Sequence, residues 1–465
     1  MSVIRPIKDA VSTAALIFCL SVCALAVGLI LAGATKSHAS EVKLSAGLGQ
    51  SVIPTEGGKV YLRLNLKALA HQRNSEDRPP INVGLVLDRS GSMRGKRIEA
   101  AKEAARMALS RLGQDDTVAL VAYNHNVEVL QPARRGISHD VFTSAINRLQ
   151  ADGRTALFAG VTEGGRQVQR YLESRQVNRV ILMSDGLANV GPSSPAERSK
   201  LGQELGSKGI SVTTIGLGLG YNEDLMQKLA LASDGNHAFA ETPDDLIRIF
   251  NSEFGDALSI AAQDIEIIIQ VRAGFKPVRI LGRQGKIDGS SIKLNFNQLT
   301  ALNERYVIVE LDAAPSAPAN DIDVASVETN YLDLQSGDRR TANARFNVSI
   351  SAEKSKQEAS VDKEVMSEIT TQIATERSEK AVSLRDKGDL DGARKLLQEN
   401  AKYIGRMREG YASGAAPASA KALKELEELE QQSVTAADNL DADNWSKQRK
   451  AMRYQQHKAK TRQSF

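Results

Sequence analysis

The chain has 465 residues, of which 42% are hydrophobic and 25% charged, and these ordinary globular values exclude wholesale disorder. Its length is about three times that of a typical domain, which predicts two to four folded units. A formal net charge of +4 over this length indicates neither a nucleic-acid partner nor an acidic substrate. Both cysteines, Cys19 and Cys23, lie in an N-terminal apolar run, so the remainder has no disulfide and no thiolate metal ligand.

Residues 1–39 are typical of a targeting segment. Arg5 and Lys8 precede residues 10–35, which carry no charged side chain, and Ser37-His38-Ala39 offers the small-x-small pattern of a signal-peptidase site. The apolar run is about 20 residues, also long enough to span ~30 Å of hydrocarbon as an uncleaved membrane anchor. Both outcomes stay open at this point. Either one predicts an exported protein of the periplasm or cell envelope.

The sequence pattern of residues 40–256 predicts a strand followed by an α/β domain. In residues 40–78, the stretch Lys59-Val-Tyr-Leu-Arg-Leu-Asn-Leu alternates between polar and apolar side chains, as a half-buried strand does. Residues 80–256 then alternate short apolar runs with helical patterns, which predicts a doubly wound, Rossmann-like α/β fold. Two of the apolar runs end in an acid, Asp88 and Asp185. Such folds bind ligands at the carboxyl ends of their strands.

Beyond the α/β domain, the pattern changes twice. Residues 257–352 contain strands without intervening helices, which predicts a β-sandwich-like region that segment 40–78 joins. The α/β domain would then be inserted in, or flanked by, this region. Residues 358–432 predict a helical hairpin and extension. Residues 433–465 are interpreted as a basic, disordered tail, with an electrostatic contact to anionic lipid as the alternative.

Five oxygen-bearing side chains form a candidate metal site at the ends of the predicted strands. The loop Asp88-Arg-Ser90-Gly-Ser92 directly follows an apolar strand, so alternate residues can turn their oxygens toward one point. Thr155 in a later loop and Asp185 after a second strand can reach the same crevice. Oxygen donors with only two carboxylates favour Mg²⁺, with Mn²⁺ or Ca²⁺ possible, over zinc. A vacant coordination position would accept a carboxylate from a protein partner.

These motifs carry a family resemblance. Val86-Leu-Asp88-Arg-Ser-Gly-Ser-Met93, Gly153-Arg-Thr155-Ala-Leu and Ile181-Leu-Met-Ser-Asp185-Gly resemble the three loops of the metal-ion-dependent adhesion site of von Willebrand factor type A domains. The resemblance covers about residues 80–255. It implies that Asp88, Ser90, Ser92, Thr155 and Asp185 coordinate a divalent cation, some of them through water. The flanking regions are more loosely similar to bacterial exported relatives of inter-alpha-trypsin-inhibitor heavy chains.

Catalytic interpretations fit the sequence less well. Ser90 stands where a phosphotransferase with an Asp88 nucleophile would need an acid, and there is no Gly-x-Ser-x-Gly elbow for a hydrolase. Gly216-Leu-Gly218-Leu-Gly220 lacks dinucleotide-binding spacing and is interpreted as a loop beside the metal face. The prediction is an exported, non-enzymatic binding protein that captures an Asp or Glu side chain of a protein partner. A scaffold subunit of an envelope complex and an enzyme of unrecognised type are the alternatives.

Overall fold

A computed structural model of the chain describes residues 42–68, 78–185, 190–191, 195–218, 220–257, 259–300, 304–414 and 416–461. The predicted export signal or anchor at residues 1–39 lies outside these described residues. Among the helices that are described, none is both long enough and apolar enough to cross a membrane. The elements group into an α/β region, a β region and a C-terminal helical region.

The elements are numbered in chain order. The strands are β1 (Val42–Leu48), β2 (Val52–Ile53), β3 (Gly58–Ala68), β4 (Ile81–Asp88), β5 (Thr117–Tyr123), β6 (Val127–Arg135), β7 (Val177–Ser184), β8 (Ser211–Leu217), β9 (His237–Ala240), β10 (Ile260–Val271), β11 (Phe275–Leu281), β12 (Lys286–Asp288), β13 (Ser291–Thr300), β14 (Glu304–Ala313), β15 (Ala319–Asp333) and β16 (Arg339–Ile350). The helices are α1 (Lys96–Ser110), α2 (His139–Asn147), α3 (Leu157–Gln169), α4 (Pro195–Gly206), α5 (Glu223–Ala232), α6 (Pro243–Ala257), α7 (Lys354–Ala359), α8 (Lys363–Asp386), α9 (Leu390–Ala412), α10 (Ala420–Asp438) and α11 (Ala442–Thr461).

The α/β region is built on a twisted sheet of strand order β6-β5-β4-β7-β8-β9. Strands β4, β5, β7, β8 and β9 run parallel, and β6 pairs antiparallel with β5 at the edge. Apolar side chains of α1, α2 and α6 fill one core cluster, and those of α3, α4 and α5 fill another. Every residue of β4 and of β7 is buried, because helices cover both faces of the sheet. The predicted doubly wound fold is therefore confirmed.

Helix α3 crosses β4 so closely that a glycine is needed at the contact. A Cβ atom added at Gly164 would lie 2.4 Å from Val86 Cγ2. We expect Gly164→Ala to lower the free energy of unfolding by about 1–3 kcal/mol, because the packed sheet has no room for the methyl group. The control is Gly255→Ala in α6, where an added Cβ meets nothing within 4 Å. That change should stabilise the protein by about 0.5–1 kcal/mol. Urea unfolding checks both, and equal effects would contradict the close approach.

The β region consists of two sheets that share one apolar core. Their strand orders are β1-β3-β14-β11 and β12-β13-β10-β15-β16-β2. Leu62 and Leu64 from the first sheet pack in one cluster with Ile267, Ile269 and Phe296 from the second. Their alternation with exposed or half-buried neighbours is the pattern expected of sheets with one solvated face. This is the sandwich-like arrangement expected from the sequence.

The α/β region is inserted between strands of the β region. Strand β3 precedes β4 in the chain and pairs antiparallel with β14, with Leu64 opposite Val307. The chain therefore leaves the β sheet after β3 and returns to the second sheet at β10 after the whole α/β region. An insertion of this kind requires its two ends to lie near each other. At this junction Gln263 Nε2 of β10 donates a hydrogen bond to Gln176 O, directly before β7, at 2.8 Å.

Four long helices, α8 to α11, make the C-terminal helical region. Helices α8 and α9 form the predicted hairpin: Gly388 adopts a φ of +90°, and the Asp389 side chain caps α9 by accepting a hydrogen bond from Gly392 N at 2.9 Å. Helix α8 also packs on the β region, where Ile369 and Val365 share a cluster with Ile308. The helical region is therefore anchored to the sandwich.

The end of the chain differs from its prediction as a disordered tail. Helix α10 continues to Asp438, and α11 occupies residues 442–461. Arg449 of α11 forms ion pairs with Glu223, Asp224 and Asp386, and Lys450 lies 2.9 Å from Glu223. The stretch from Lys447 to Arg462 contains no acidic residue, but the fold supplies acids from α5 and α8. These long-range ion pairs order the segment.

Candidate functional site

The two candidate acids lie side by side where neighbouring parallel strands end. Asp88 is the last residue of β4, and Asp185 immediately follows β7. The strands are paired with Leu87 opposite Met183, so their carboxyl ends are level. Asp88 is 0% and Asp185 1% exposed, which leaves both carboxylates buried at the crevice where the strand order changes direction.

The loop after β4 brings its two serines onto these acids. Ser90 N donates a hydrogen bond to Asp88 Oδ1 at 2.7 Å, and the Ser90 and Ser92 hydroxyl oxygens are 3.1 Å apart. Ser92 Oγ in turn donates to Asp185 Oδ1 at 2.7 Å. Met93, which is 0% exposed, ends the short 3-10 turn that holds Ser92 in this position. Asp88, Ser90, Ser92 and Asp185 therefore form one connected set of oxygens.

Thr155 lies on the loop that is hydrogen-bonded to this turn. Gly91 N donates to Gly153 O at 3.0 Å, and Asp152 N donates to Arg89 O at 2.8 Å. Gly153 has a φ of +76°, a conformation that glycine adopts without strain. Thr155 itself is 3% exposed. The second loop of the predicted site is thus fixed against the first at Gly153, two residues before the buried Thr155.

Two further groups contribute to the site, and the sequence did not single them out. Ser184 Oγ donates a hydrogen bond to Asp88 Oδ2 at 2.5 Å, so both oxygens of Asp88 are oriented. Burial, followed by the nearby charge of Asp88, raises the pKa of Tyr123, which packs next to this pair. Ser184 could have been predicted from the sequence, because the parallel register of β4 and β7 places it level with Asp88.

The negative charge of the two carboxylates is greater than the positive charge of the one arginine, Arg97, that contacts them. Burial, together with the charge of Asp185, raises the pKa of Asp88 to about 6, although hydrogen bonds from Ser184 and Ser90 oppose the increase. One guanidinium faces the pair: Arg97 Nη1 lies 2.5 Å from Asp185 Oδ2. Two buried carboxylates against one partly exposed cation favour an additional positive charge.

The donor chemistry fits a hard divalent cation. Carboxylate and hydroxyl oxygens are the ligands that Mg²⁺, Mn²⁺ and Ca²⁺ take, and the site offers neither nitrogen nor sulfur. Across the described ranges, no group of three or more His, Cys, Asp or Glu side chains is placed to hold a metal ion. A cation at this crevice would therefore depend on Asp88, Asp185 and the hydroxyls of Ser90, Ser92 and Thr155.

The glycine-rich segment after β8 borders the same crevice. A Cβ atom at Gly220 would lie 2.8 Å from the backbone oxygen of Asp185, and one at Gly218 would lie 3.4 Å from Arg97 Nη2. Gly218 also has a φ of +70°. The glycines thus permit close approach to the site, which accounts for their pattern without a dinucleotide.

Comparisons with known proteins agree with the fold. A sequence profile of the von Willebrand factor type A domain matches residues 82–251. The structure is similar to a von Willebrand factor type A protein from Catenulispora acidiphila, with a TM-score of 0.66, 16% identity, and coverage of 86% of this chain and 98% of that one. It is also similar to the ArnB paralog VWA2 from Sulfolobus acidocaldarius, with a TM-score of 0.59, 16% identity, and coverage of 90% and 98%.

Relatives by sequence share different portions of the chain. The uncharacterized protein sll0103 of Synechocystis is 26% identical over 376 residues, which are 78% of this chain and 86% of that protein. Human inter-alpha-trypsin inhibitor heavy chain H3 is 26% identical over 170 residues, which are 35% of this chain and 19% of the heavy chain. The similarity to the heavy chain is therefore limited to a part of each protein.

Proposed function

Because residues 82–251 form a von Willebrand factor type A domain, a domain that typically mediates protein–protein interaction, we propose that this chain is a binding protein that captures a carboxylate of a protein partner through a divalent cation. The observation that carries the proposal is the connected set formed by Asp88, Ser90, Ser92 and Asp185 at adjacent strand ends. In this proposal the chain recognises a partner and does not turn over a substrate.

Domains of this type commonly bind a divalent metal, and the residues present here suit one. Asp88 and Asp185 would supply the negative charge, and Ser90, Ser92 and Thr155 neutral oxygens. When bound, the cation would attract an anionic oxygen, because a set with only two carboxylates leaves it with electrophilic character. Ser92 is exposed while both acids are buried, so a partner would approach from the Ser92 side. Mg²⁺ is the cation we propose.

We propose further that the protein acts in the cell envelope. The proposal rests on Arg5 and Lys8 ahead of the uncharged residues 10–35, and on Ser37-His38-Ala39, which together are typical of an export signal. Membrane fractionation combined with N-terminal sequencing would separate a cleaved signal from a retained anchor. Recovery of the chain with its first residues intact in the cytoplasmic fraction would contradict export.

A chelator-controlled pull-down from envelope extract tests the binding function. We expect partners to be retained in Mg²⁺ and lost in EDTA, and Asp88→Ala to lose them in both conditions, because it removes a charged ligand from the cation. The matched control is Asp115→Ala, which removes an exposed carboxylate before β5, at the opposite edge of the sheet. That variant should behave as the unchanged protein.

The pull-down also separates the proposal from its alternative, a scaffold subunit whose helices make the contacts. This alternative draws on the length of the helical region, residues 363–461, and on its packing against the β region. Partners that persist in EDTA and with Asp88→Ala would support the scaffold and exclude cation-dependent capture.

A further inference from the structure

Arg97 is a cationic side chain in direct contact with the candidate metal site. It is the second residue of α1, and its Nη1 donates to both Asp185 Oδ2 at 2.5 Å and the backbone oxygen of Ser92 at 3.1 Å. Its side chain is 42% exposed, although that of Asp185 is 0% exposed. The guanidinium therefore reaches from solvent to the buried acid along the rim of the crevice.

Arg97 has opposite effects on a cation and on an anion that bind at the site. A fixed positive charge beside Asp185 repels a divalent cation and lowers the affinity of the site for it. The same charge attracts an anionic group that approaches the cation from solvent. A guanidinium carries five N–H donors, and among the described residues both hydrogen bonds of Arg97 come from Nη1. The exposed part of the group is therefore placed to donate to an incoming ligand.

We propose that Arg97 is the second half of the ligand site: the partner's carboxylate is held by the cation through one oxygen and by the Arg97 guanidinium through the other. Gly218 leaves the space that this requires, because its φ of +70° and its lack of a side chain keep the neighbouring segment clear of Nη2. A charge-assisted hydrogen bond from the guanidinium is stronger than a bond between neutral groups, which selects an anionic oxygen over a neutral oxygen ligand. The inference rests on the proposed cation-dependent function.

The experiment measures cation and carboxylate binding separately. Mn²⁺ is titrated into the full exported chain and followed by water-proton relaxation, and acetate is then titrated into the Mn²⁺-loaded protein to displace coordinated water. For Arg97→Gln we expect Mn²⁺ to bind roughly threefold more tightly, because a repelling charge is gone, and acetate to bind about five- to tenfold more weakly, because a charge-assisted hydrogen bond is lost.

Two further variants make the result specific. Arg94→Gln removes the same charge from an exposed neighbour that donates to Ala151 O and not to the acids, and it should leave acetate binding unchanged. Arg97→Lys keeps the charge, so Mn²⁺ affinity should stay near that of the unchanged protein while acetate affinity is only partly retained. Circular dichroism establishes that each variant is folded.

The outcomes distinguish this inference from the function on which it rests. If the unchanged protein binds no Mn²⁺, both are overturned. If it binds Mn²⁺ and acetate, but Arg97→Gln matches Arg94→Gln in both titrations, the role of Arg97 alone is overturned. Opposite changes in the two affinities for Arg97→Gln alone support the proposed site.

Discussion

Replacing Asp88 with asparagine is expected to remove divalent-cation binding while leaving the cation-free protein folded. The change removes one of two negative charges, and loss of a charged ligand should weaken binding by more than the roughly 10- to 100-fold that follows loss of a supporting group. The fold should tolerate asparagine because it has nearly the same shape. Its side-chain oxygen can still accept the hydrogen bond that Ser184 now donates to Asp88.

Thermal unfolding with and without Mg²⁺ measures both parts of this expectation. A ligand that binds only the folded state stabilises it by about 2.7 kcal/mol at 100 times its dissociation constant. The unchanged protein should therefore melt at a higher temperature in Mg²⁺ than in EDTA, whereas Asp88→Asn should melt at one temperature in both. In EDTA the variant should be no less stable than the unchanged protein, because the amide removes the cost of a second buried negative charge beside Asp185, which offsets the loss of the hydrogen bond from Ser90 N.

A second substitution controls for net charge. Asp115→Asn removes an exposed carboxylate at the opposite edge of the sheet and should keep the Mg²⁺-dependent increase in melting temperature. A Mg²⁺ response that survives Asp88→Asn would place the cation elsewhere on the chain. A variant that is unfolded even in EDTA would show that Asp88 is needed for the fold itself.

The fold and the first loop of the site could be predicted because both depend on local sequence. Asp88, Ser90 and Ser92 are spaced within five residues, directly after an apolar strand. Parallel strands bring their carboxyl ends to one edge, which was enough to associate Asp185 with them. Arg97 was missed as part of the site because a basic residue in the first turn of a helix is more often solvent-exposed. Only the folded loop shows that it faces Asp185.

Elements stabilised by distant residues were harder to predict. Strand β15 lies between β10 and β16, but its sequence contains several acids and polar residues that obscure the alternation. Helix α11 is rich in polar and basic residues, which suggests a solvated segment. In the fold, however, Arg449 and Lys450 contact Glu223, about 225 residues earlier in the chain. Propensity and charge counted along a segment do not include partners that only the tertiary fold supplies.

The contact between α11 and the α/β region also includes two buried histidines. His237 N, in β9, donates a hydrogen bond to His457 Nε2 of α11 at 3.1 Å, and His237 Nδ1 lies 2.9 Å from Thr214 Oγ1. His237 is 0% and His457 1% exposed. Because His457 Nε2 accepts from a backbone N–H, a proton on that nitrogen would break the bond. This part of the interface therefore requires His457 to be neutral at Nε2.

Both histidines are expected to make the folded state sensitive to acid. Burial, together with the charge of Lys450, lowers the pKa of His237 to about 3. Burial, followed by the charges of His237, Arg283, Arg305 and Lys460, lowers the pKa of His457 well below its ordinary value. Above pH 7 both histidines are neutral in the folded protein and in the unfolded chain, so they do not change the stability with pH. Below about 6.5 the unfolded chain binds protons that the folded protein does not, and stability falls as the pH decreases from there toward 3.

Urea unfolding as a function of pH tests this expectation. Each histidine that stays neutral in the folded state should lower the free energy of unfolding by about 2 kcal/mol between pH 7.5 and pH 5, because its pKa in the unfolded chain is near 6.5. His457→Gln keeps an oxygen that can accept the hydrogen bond from His237 N, and it removes one titrating group. The decrease in the free energy of unfolding between pH 7.5 and pH 5 should therefore be about 2 kcal/mol smaller in this variant. The control is His139→Gln, which replaces an exposed histidine of α2 and should leave the loss unchanged. If His457→Gln and the unchanged protein lose stability equally, His457 binds its proton as readily in the folded protein as in the unfolded chain, and its burial against β9 does not contribute to the acid sensitivity.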